Sequence, residues 1–180
     1  NDKIKWSFQK KKINRVDNFY KNYTETLNLV LNSVNLKNLS KFSDLLEKII
    51  LKNKNIFVCG NGGSAAIANH LVCDYIKLMR KNTKLKPKVI SLSTSVELIT
   101  AISNDFSYDK IFSDQLDYLS NKGDLLILIS SSGNSKNIIN AIKFCKKKKI
   151  KTVGLSGFKG GYLSKQSDIS IHYNCENYGI

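Results

Sequence analysis

Apolar positions change their period along the chain, and each change marks an element. Phe19, Tyr20, Tyr23, Leu27, Val30, Leu31 and Val34 recur at helical spacing, and so do Leu39, Phe42, Leu45, Leu46, Ile49 and Ile50. Asn35 and Asn53 stand where helix stop signals are expected. Two amphipathic helices, 17–34 and 37–52, are therefore predicted. At Ile56 the spacing gives way to a continuous run, Ile56-Phe57-Val58-Cys59, closed by Gly60, which reads as a buried strand. A helical stretch follows from Ser64 to about Met79. Further strands are expected at 88–92, 124–129, 152–155 and 168–171, with short helical patterns near 95–103 and 108–120 and a longer one over 135–148. Strands that alternate with helices call for a parallel sheet covered on both faces. The expected fold is a single α/β domain over 17–180, with a doubly wound five-stranded parallel sheet in the flavodoxin-like order 2-1-3-4-5. Residues 17–52 form a helical N-terminal addition, 55–180 the α/β core, and 1–16 a basic arm.

Composition narrows the class of function. The net charge is +15, from 29 Lys and Arg against 14 Asp and Glu, but only Arg15 and Arg80 are arginine. Arginine is the usual fork for phosphates and base edges, so its scarcity argues for compositional bias and no nucleic-acid partner is expected. The run Lys143, Lys146, Lys147, Lys148, Lys149 and Lys151 reads as a solvated helix end with cations favourably placed at the C-terminus. No apolar run approaches the length of a membrane span, so no membrane partner is expected. Cys59, Cys73, Cys145 and Cys175 form no C-x-x-C and fit neither a zinc ribbon nor a disulfide framework. Reduced thiols in a cytoplasm are the simplest account. No secretory leader is visible, and the opening Asn suggests that the natural start is not included.

Two loops carry candidate chemistry. Gly60-Asn61-Gly62-Gly63-Ser64 links the first strand to its helix; its glycines let backbone N–H groups approach a ligand, and Ser64 would serve as N-cap. The spacing is neither a dinucleotide fingerprint nor a P-loop. Ser130-Ser131-Ser132-Gly133-Asn134-Ser135 links the third strand to its helix. A cap needs one hydroxyl, which Ser135 could supply; Ser130, Ser131 and Ser132 are then left for another task. At a helix N-terminus, with its free donors and partial positive charge, that task is holding a phosphate. In the order 2-1-3-4-5 the first and third strands are neighbours where the order reverses, so both loops would line one crevice. A phosphomonoester such as a sugar phosphate suits this cradle. His70 and Asp74 lie i, i+4 on one helix face just past the first loop, as an acid–base pair or as two metal ligands.

Val58-Cys59-Gly60-Asn61-Gly62-Gly63-Ser64-Ala65-Ala66, Asn69-His70, the stretch from Leu98 to Asn104-Asp105, the Ser130–Ser135 loop and Gly154-Leu155-Ser156-Gly157 together resemble the sugar isomerase (SIS) domain. Within it they are similar to the phosphoheptose isomerases, which convert sedoheptulose 7-phosphate to D-glycero-D-manno-heptose 7-phosphate for surface-polysaccharide (capsule or lipopolysaccharide) heptose. The resemblance runs from about residue 20 to the end. It implies a cytoplasmic aldose–ketose isomerase assembled as a homotetramer through its N-terminal helices. It places a phosphorylated sugar on Asn61, Gly62, Gly63, Ser64, Asn104, Asp105, Ser130, Ser131, Ser132 and Ser135. His70 falls on a family zinc ligand and Asp74 where the family usually has Glu, in metal binding and proton transfer. The family's remaining contributors, a Gln and a His, lie on a final helix expected after Ile180. His172 is expected to cap or pack at the end of the fifth strand. Two alternatives stand beside the isomerase: a non-catalytic SIS-domain adaptor for a replication initiator, and another sugar-phosphate isomerase.

Overall fold

The computed structural model describes residues 15–180; most of the expected basic arm, 1–14, lies outside the described residues. Helix α1, Val16–Asn32, and helix α2, Leu36–Leu51, form the N-terminal addition. Asn35 opens α2 instead of closing α1: its side-chain oxygen accepts from the Asn38 N–H at 3.1 Å. Asn53, just past α2, takes the left-handed conformation with φ 55°, as a helix stop does.

Five strands follow: β1 Asn55–Gly60, β2 Lys88–Ser91, β3 Leu125–Ser130, β4 Lys151–Ser156 and β5 Ile169–His172. All pair in parallel in one sheet, in the order β2-β1-β3-β4-β5. The expected topology therefore holds. Alternation along each strand divides the core in two. Phe57, Cys59, Leu126 and Leu128 face one side, and Ile56, Val58, Leu125, Ile127 and Ile129 the other. All nine are buried, which is why these strands read as unbroken apolar runs.

Helix α3, Gly63–Cys73, leaves β1 and passes through a π-helical turn, Asp74–Met79, into the short α4, Arg80–Asn82. The sequence predicts one regular helix here. A one-residue widening leaves the apolar positions Leu71, Val72, Tyr75 and Met79 on the sheet face, so periodicity does not reveal it. Helices α5, Val96–Asp105, and α6, Ile111–Leu119, joined by a 3-10 turn at Tyr108–Lys110, precede β3. Helix α7, Lys136–Lys148, joins β3 to β4, and α8, Gly161–Gln166, joins β4 to β5. The sequence gives no sign of α8, because six residues with Leu163 alone buried show no helical period.

Side-chain bonds fix the layers. The buried Asp124 carboxylate accepts from the backbone N–H groups of Asn55 at 3.0 Å and Asn121 at 2.8 Å, pinning the starts of β1 and β3. Asn38 Nδ2 donates to the Ser170 carbonyl at 3.0 Å, tying α2 to β5.

Candidate functional site

The loops after β1 and β3 do meet. Asn61, Gly63, Ser64, Ser130, Ser131, Ser132 and Ser135 line one cleft of about 370 Å³ with Ile67, Ile129 and Tyr178. The loops are clasped by a reciprocal amide pair. Asn61 Nδ2 donates to Asn137 Oδ1 at 3.0 Å, and Asn137 Nδ2 donates to Asn61 Oδ1 at 2.9 Å. The Tyr108 hydroxyl also donates to Asn61 Oδ1, at 3.0 Å. The base of the first loop is held by Ser93, whose hydroxyl donates to the Gly60 carbonyl at 2.9 Å.

Inside the cleft the donors are free. Ser64 is not the cap of α3; Gly62, with φ 54°, takes that position, because the helix starts two residues earlier than a serine cap requires. Ser135 sits at the cap of α7 but its side chain makes no capping bond. Among the described residues the hydroxyls of Ser64, Ser131 and Ser135 bond to no protein atom. The first backbone N–H of α7 with a backbone partner is that of Ile139, donating to the Ser135 carbonyl at 3.0 Å. The Ile138 N–H instead meets Asn137 Oδ1 at 2.9 Å. Three free hydroxyls thus stand beside the open end of a helix dipole, an arrangement that takes an anion. Ser130 and Ser132 shape the loop, accepting from Gly133 and Asn134 N–H groups at 3.2 and 3.3 Å.

The loop after β4 braces the serine loop from outside. The Gly157 N–H donates to the Ser131 carbonyl at 3.1 Å, and the Leu163 N–H to the Gly133 carbonyl at 3.0 Å. Asn134 Oδ1 accepts from the Tyr162 N–H at 2.9 Å. Gly133 itself has φ 66°, a backbone that a side chain would strain.

A family model for the SIS domain matches residues 18–157. The chain is 41% identical, over 133 residues, to the phosphoheptose isomerase of Aliarcobacter butzleri, covering 74% of this chain and 70% of that one. This chain belongs to the SIS domain family, in its phosphoheptose isomerase branch. The phosphoheptose isomerase of Campylobacter concisus is 35% identical over 158 residues, 88% of this chain and 80% of that one. The solved phosphoheptose isomerase of Neisseria gonorrhoeae superposes with a TM-score of 0.80 at 27% identity, covering 92% of this chain and 88% of the other.

The remaining SIS-domain residues stand apart from the cleft lining. Asn104 and Asp105 are exposed at the end of α5, where Asn104 Nδ2 donates to Asp105 Oδ1 at 2.9 Å. His70 Nε2 lies 3.5 Å from Asp74 Oδ2, so the pair shares a face as expected; the His70 side chain is open to solvent on α3, and that of Asp74 is partly so at the start of the π-helical turn. Among the described residues no third His, Cys, Asp or Glu joins them. Zinc needs about four donors, so these two alone do not make a zinc centre. His172 bonds through Nδ1 to the Ser156 hydroxyl at 3.0 Å. Sequence reasoning misses Tyr108, Asn137 and Tyr178. Asn137 is a polar residue one turn before Ala141, on the apolar face of its helix with Ile138, Ile142 and Cys145, and that is the one signal that marks it beforehand.

Proposed function

We propose that the protein is a sugar-phosphate isomerase that interconverts sedoheptulose 7-phosphate and D-glycero-D-manno-heptose 7-phosphate, in the cytoplasm, as a step toward surface-polysaccharide heptose. The observation that carries this reading is the set of unbonded hydroxyls, Ser64, Ser131 and Ser135, gathered at the open N-terminus of α7. A phosphate there would accept charge-assisted hydrogen bonds, shorter and stronger than neutral ones. Tyr108 and Asn137 would hold Asn61 in place beside it. The name carried by the relatives, phosphoheptose isomerase, supports a heptose phosphate as the substrate.

Isomerisation removes a proton from one carbon and returns one to its neighbour, while a second proton passes between their oxygens, so that carbonyl and hydroxyl change places through an enediol. Asp74 is the proposed carboxylate for the carbon proton, with His70 beside it as proton donor to oxygen. Asp74 lies ten residues beyond Ser64, ~15 Å along the helix at 1.5 Å per residue. An extended seven-carbon sugar spans part of that distance, and a second copy would supply the rest. A homotetramer is accordingly part of the proposal. Exposed Val16, Tyr20, Leu29 and Leu36 on α1 and α2 offer apolar surface for it. Zinc is also part of the proposal only as far as donors allow: His70 and Asp74 give two, and others would have to come from beyond the described residues or from a second copy.

The test is turnover of sedoheptulose 7-phosphate by the full chain. Asp74→Asn keeps the shape and removes the base, and is expected to lower turnover by ~10²–10⁴. Asp74→Glu restores the residue usual in the family and should remain active. Full activity in Asp74→Asn removes Asp74 from the mechanism. Tight sugar-phosphate binding by a parent protein that does not turn over overturns the isomerase and favours the adaptor.

A further inference from the structure

Because all five strands are parallel, every helix-to-strand connection lies at the sheet edge away from the cleft. The helix ends and connections at that edge, 48–54, 80–88, 117–124, 146–151 and 165–168, hold fifteen Lys and Arg against three Asp. The cleft-side connections and helix starts, 61–64, 92–97, 106–111, 131–136, 157–162 and 173–180, hold three Lys, Lys110, Lys136 and Lys159, against three acids, Glu97, Asp109 and Glu176. Compositional bias would load both edges alike. Favourable placement at helix C-termini explains Lys48, Lys81 and Lys146 to Lys148. It does not explain Lys52, Lys54, Lys86, Lys88, Lys122 or Lys151, which lie past the helices or on the strands.

The three aspartates do not neutralise this edge. Asp117 pairs with Lys148 at 3.0 Å and Asp168 with Lys151 at 2.7 Å. Asp124 is buried against backbone N–H groups. Lys52, Lys86, Lys88, Lys122, Lys147 and Lys149 are exposed and have no acidic partner among the described residues. Large apolar side chains stand out among them: Leu51 is 69% exposed, Tyr118 89% and Leu119 45%.

We propose that this edge is a docking surface for an anionic lipid bilayer. Lysines are drawn to the negative potential of such a surface, and exposed Leu and Tyr side chains enter the headgroup region beside them. Arg80 is the one arginine at this edge, so a duplex nucleic acid, which is read chiefly by arginine forks, fits less well. Docking by this edge leaves the sugar-phosphate cleft facing away from the lipid and open to solvent. The sequence-based expectation of no membrane partner rested on the lack of a spanning helix, and no helix among the described residues is long and apolar enough to span. A peripheral contact needs none.

The full chain is tested by co-sedimentation with vesicles of phosphatidylcholine alone and of phosphatidylcholine mixed with phosphatidylglycerol. At ~0.1 M salt the protein is expected on the anionic vesicles only, and at ~0.5 M salt it should be released. Lys86→Glu, Lys88→Glu, Lys147→Glu and Lys149→Glu together should weaken vesicle binding by ~600-fold, at about a fivefold effect per lysine near the surface. Tyr118→Ser should weaken it several-fold, and both variants should keep parental turnover in vesicle-free solution. Failure to sediment with anionic vesicles at low salt overturns the proposal. So does equal sedimentation of parent and charge-reversed protein, which would place any binding away from this edge. Binding to a DNA or RNA duplex without binding to anionic vesicles also overturns it and makes the edge a nucleic-acid surface.

Discussion

A single methyl group at Gly133 tests the serine loop most directly. The residue has φ 66°. A Cβ built there would fall inside the van der Waals radius of the Gly160 carbonyl oxygen, 2.7 Å from its carbon and 3.2 Å from Leu163 Cβ. The left-handed backbone alone costs a non-glycine residue about 1–2 kcal/mol. The collision adds to this because its partner is backbone, and that backbone is held by the Leu163 N–H on the Gly133 carbonyl at 3.0 Å. Relief requires either the 157–161 loop to retreat or the 130–135 loop to tilt into the cleft. A total of about 2–4 kcal/mol is expected for Gly133→Ala, the range of strain at a special backbone position plus overpacking. For a chain of this size that lowers Tm by roughly 4–16 °C. The tilt also displaces Ser131 and Ser135 from the proposed phosphate, so sugar-phosphate affinity, read by calorimetry, should fall at least about tenfold, the loss of one charge-assisted bond. A variant that melts with the parent refutes the strain argument. A variant that melts early yet binds sugar phosphate with parental affinity refutes the assignment of the phosphate to this loop.

Ser135→Ala should do the reverse: Tm unchanged, since the hydroxyl caps nothing, and KM for the sugar phosphate raised by ~10-fold or more, measured by steady-state kinetics. Asn137→Leu removes both amide bonds between residue 137 and Asn61 and leaves the Ile138 N–H without its acceptor; a loss of about 1–3 kcal/mol in urea unfolding is expected, with weaker sugar-phosphate binding because the first loop is no longer held to α7. Burial pushes the Asp168 carboxyl up, but bonds from Lys151 and from the Thr152 hydroxyl and N–H outweigh it and leave its pKa below the usual carboxylate value. The unfolded chain therefore binds the proton first, so the stability that Asp168 gives is present above the ordinary carboxylate pKa and is lost as pH falls through the lower folded value. Asp168→Asn should be less stable than the parent at neutral pH, and the gap should close in acid; a gap independent of pH would exclude this account. Burial also raises the Cys59 thiol, and raises Cys145 to about 12. With Cys175 buried as well and Cys73 exposed, a thiol reagent should titrate about one cysteine in the native protein and all after denaturation.

The sheet was legible because its central strands, β1, β3 and β4, are buried on both sides. Unbroken runs such as Leu125 to Ile129, repeated between helical stretches, call for a parallel sheet with helices on both faces and right-handed crossovers. The Gly60–Ser64 and Ser130–Ser135 loops were legible for the same reason: once β1 and β3 are neighbours, the loops at their ends share a crevice. Other features depend on contacts between residues distant in sequence, which no local period records. The π-helical turn at Asp74 and the short α8 are of this kind. So is the reassignment of Ser64 and Ser135, whose hydroxyls look like caps in sequence and stand free in the fold. The clasp of Asn61 by Asn137 and Tyr108 spans 76 and 47 positions and exists only because the crossovers bring three segments together. Patterning thus determined the parallel sheet and its two covered faces, since both follow from burying apolar strands; the order 2-1-3-4-5, and with it the place of the crevice, does not follow from burial alone. Which hydroxyls remain unbonded there, and the gathering of lysines at the opposite edge, were decided by tertiary structure, because only the packed sheet sets which side chains share a surface and which bonds are already taken.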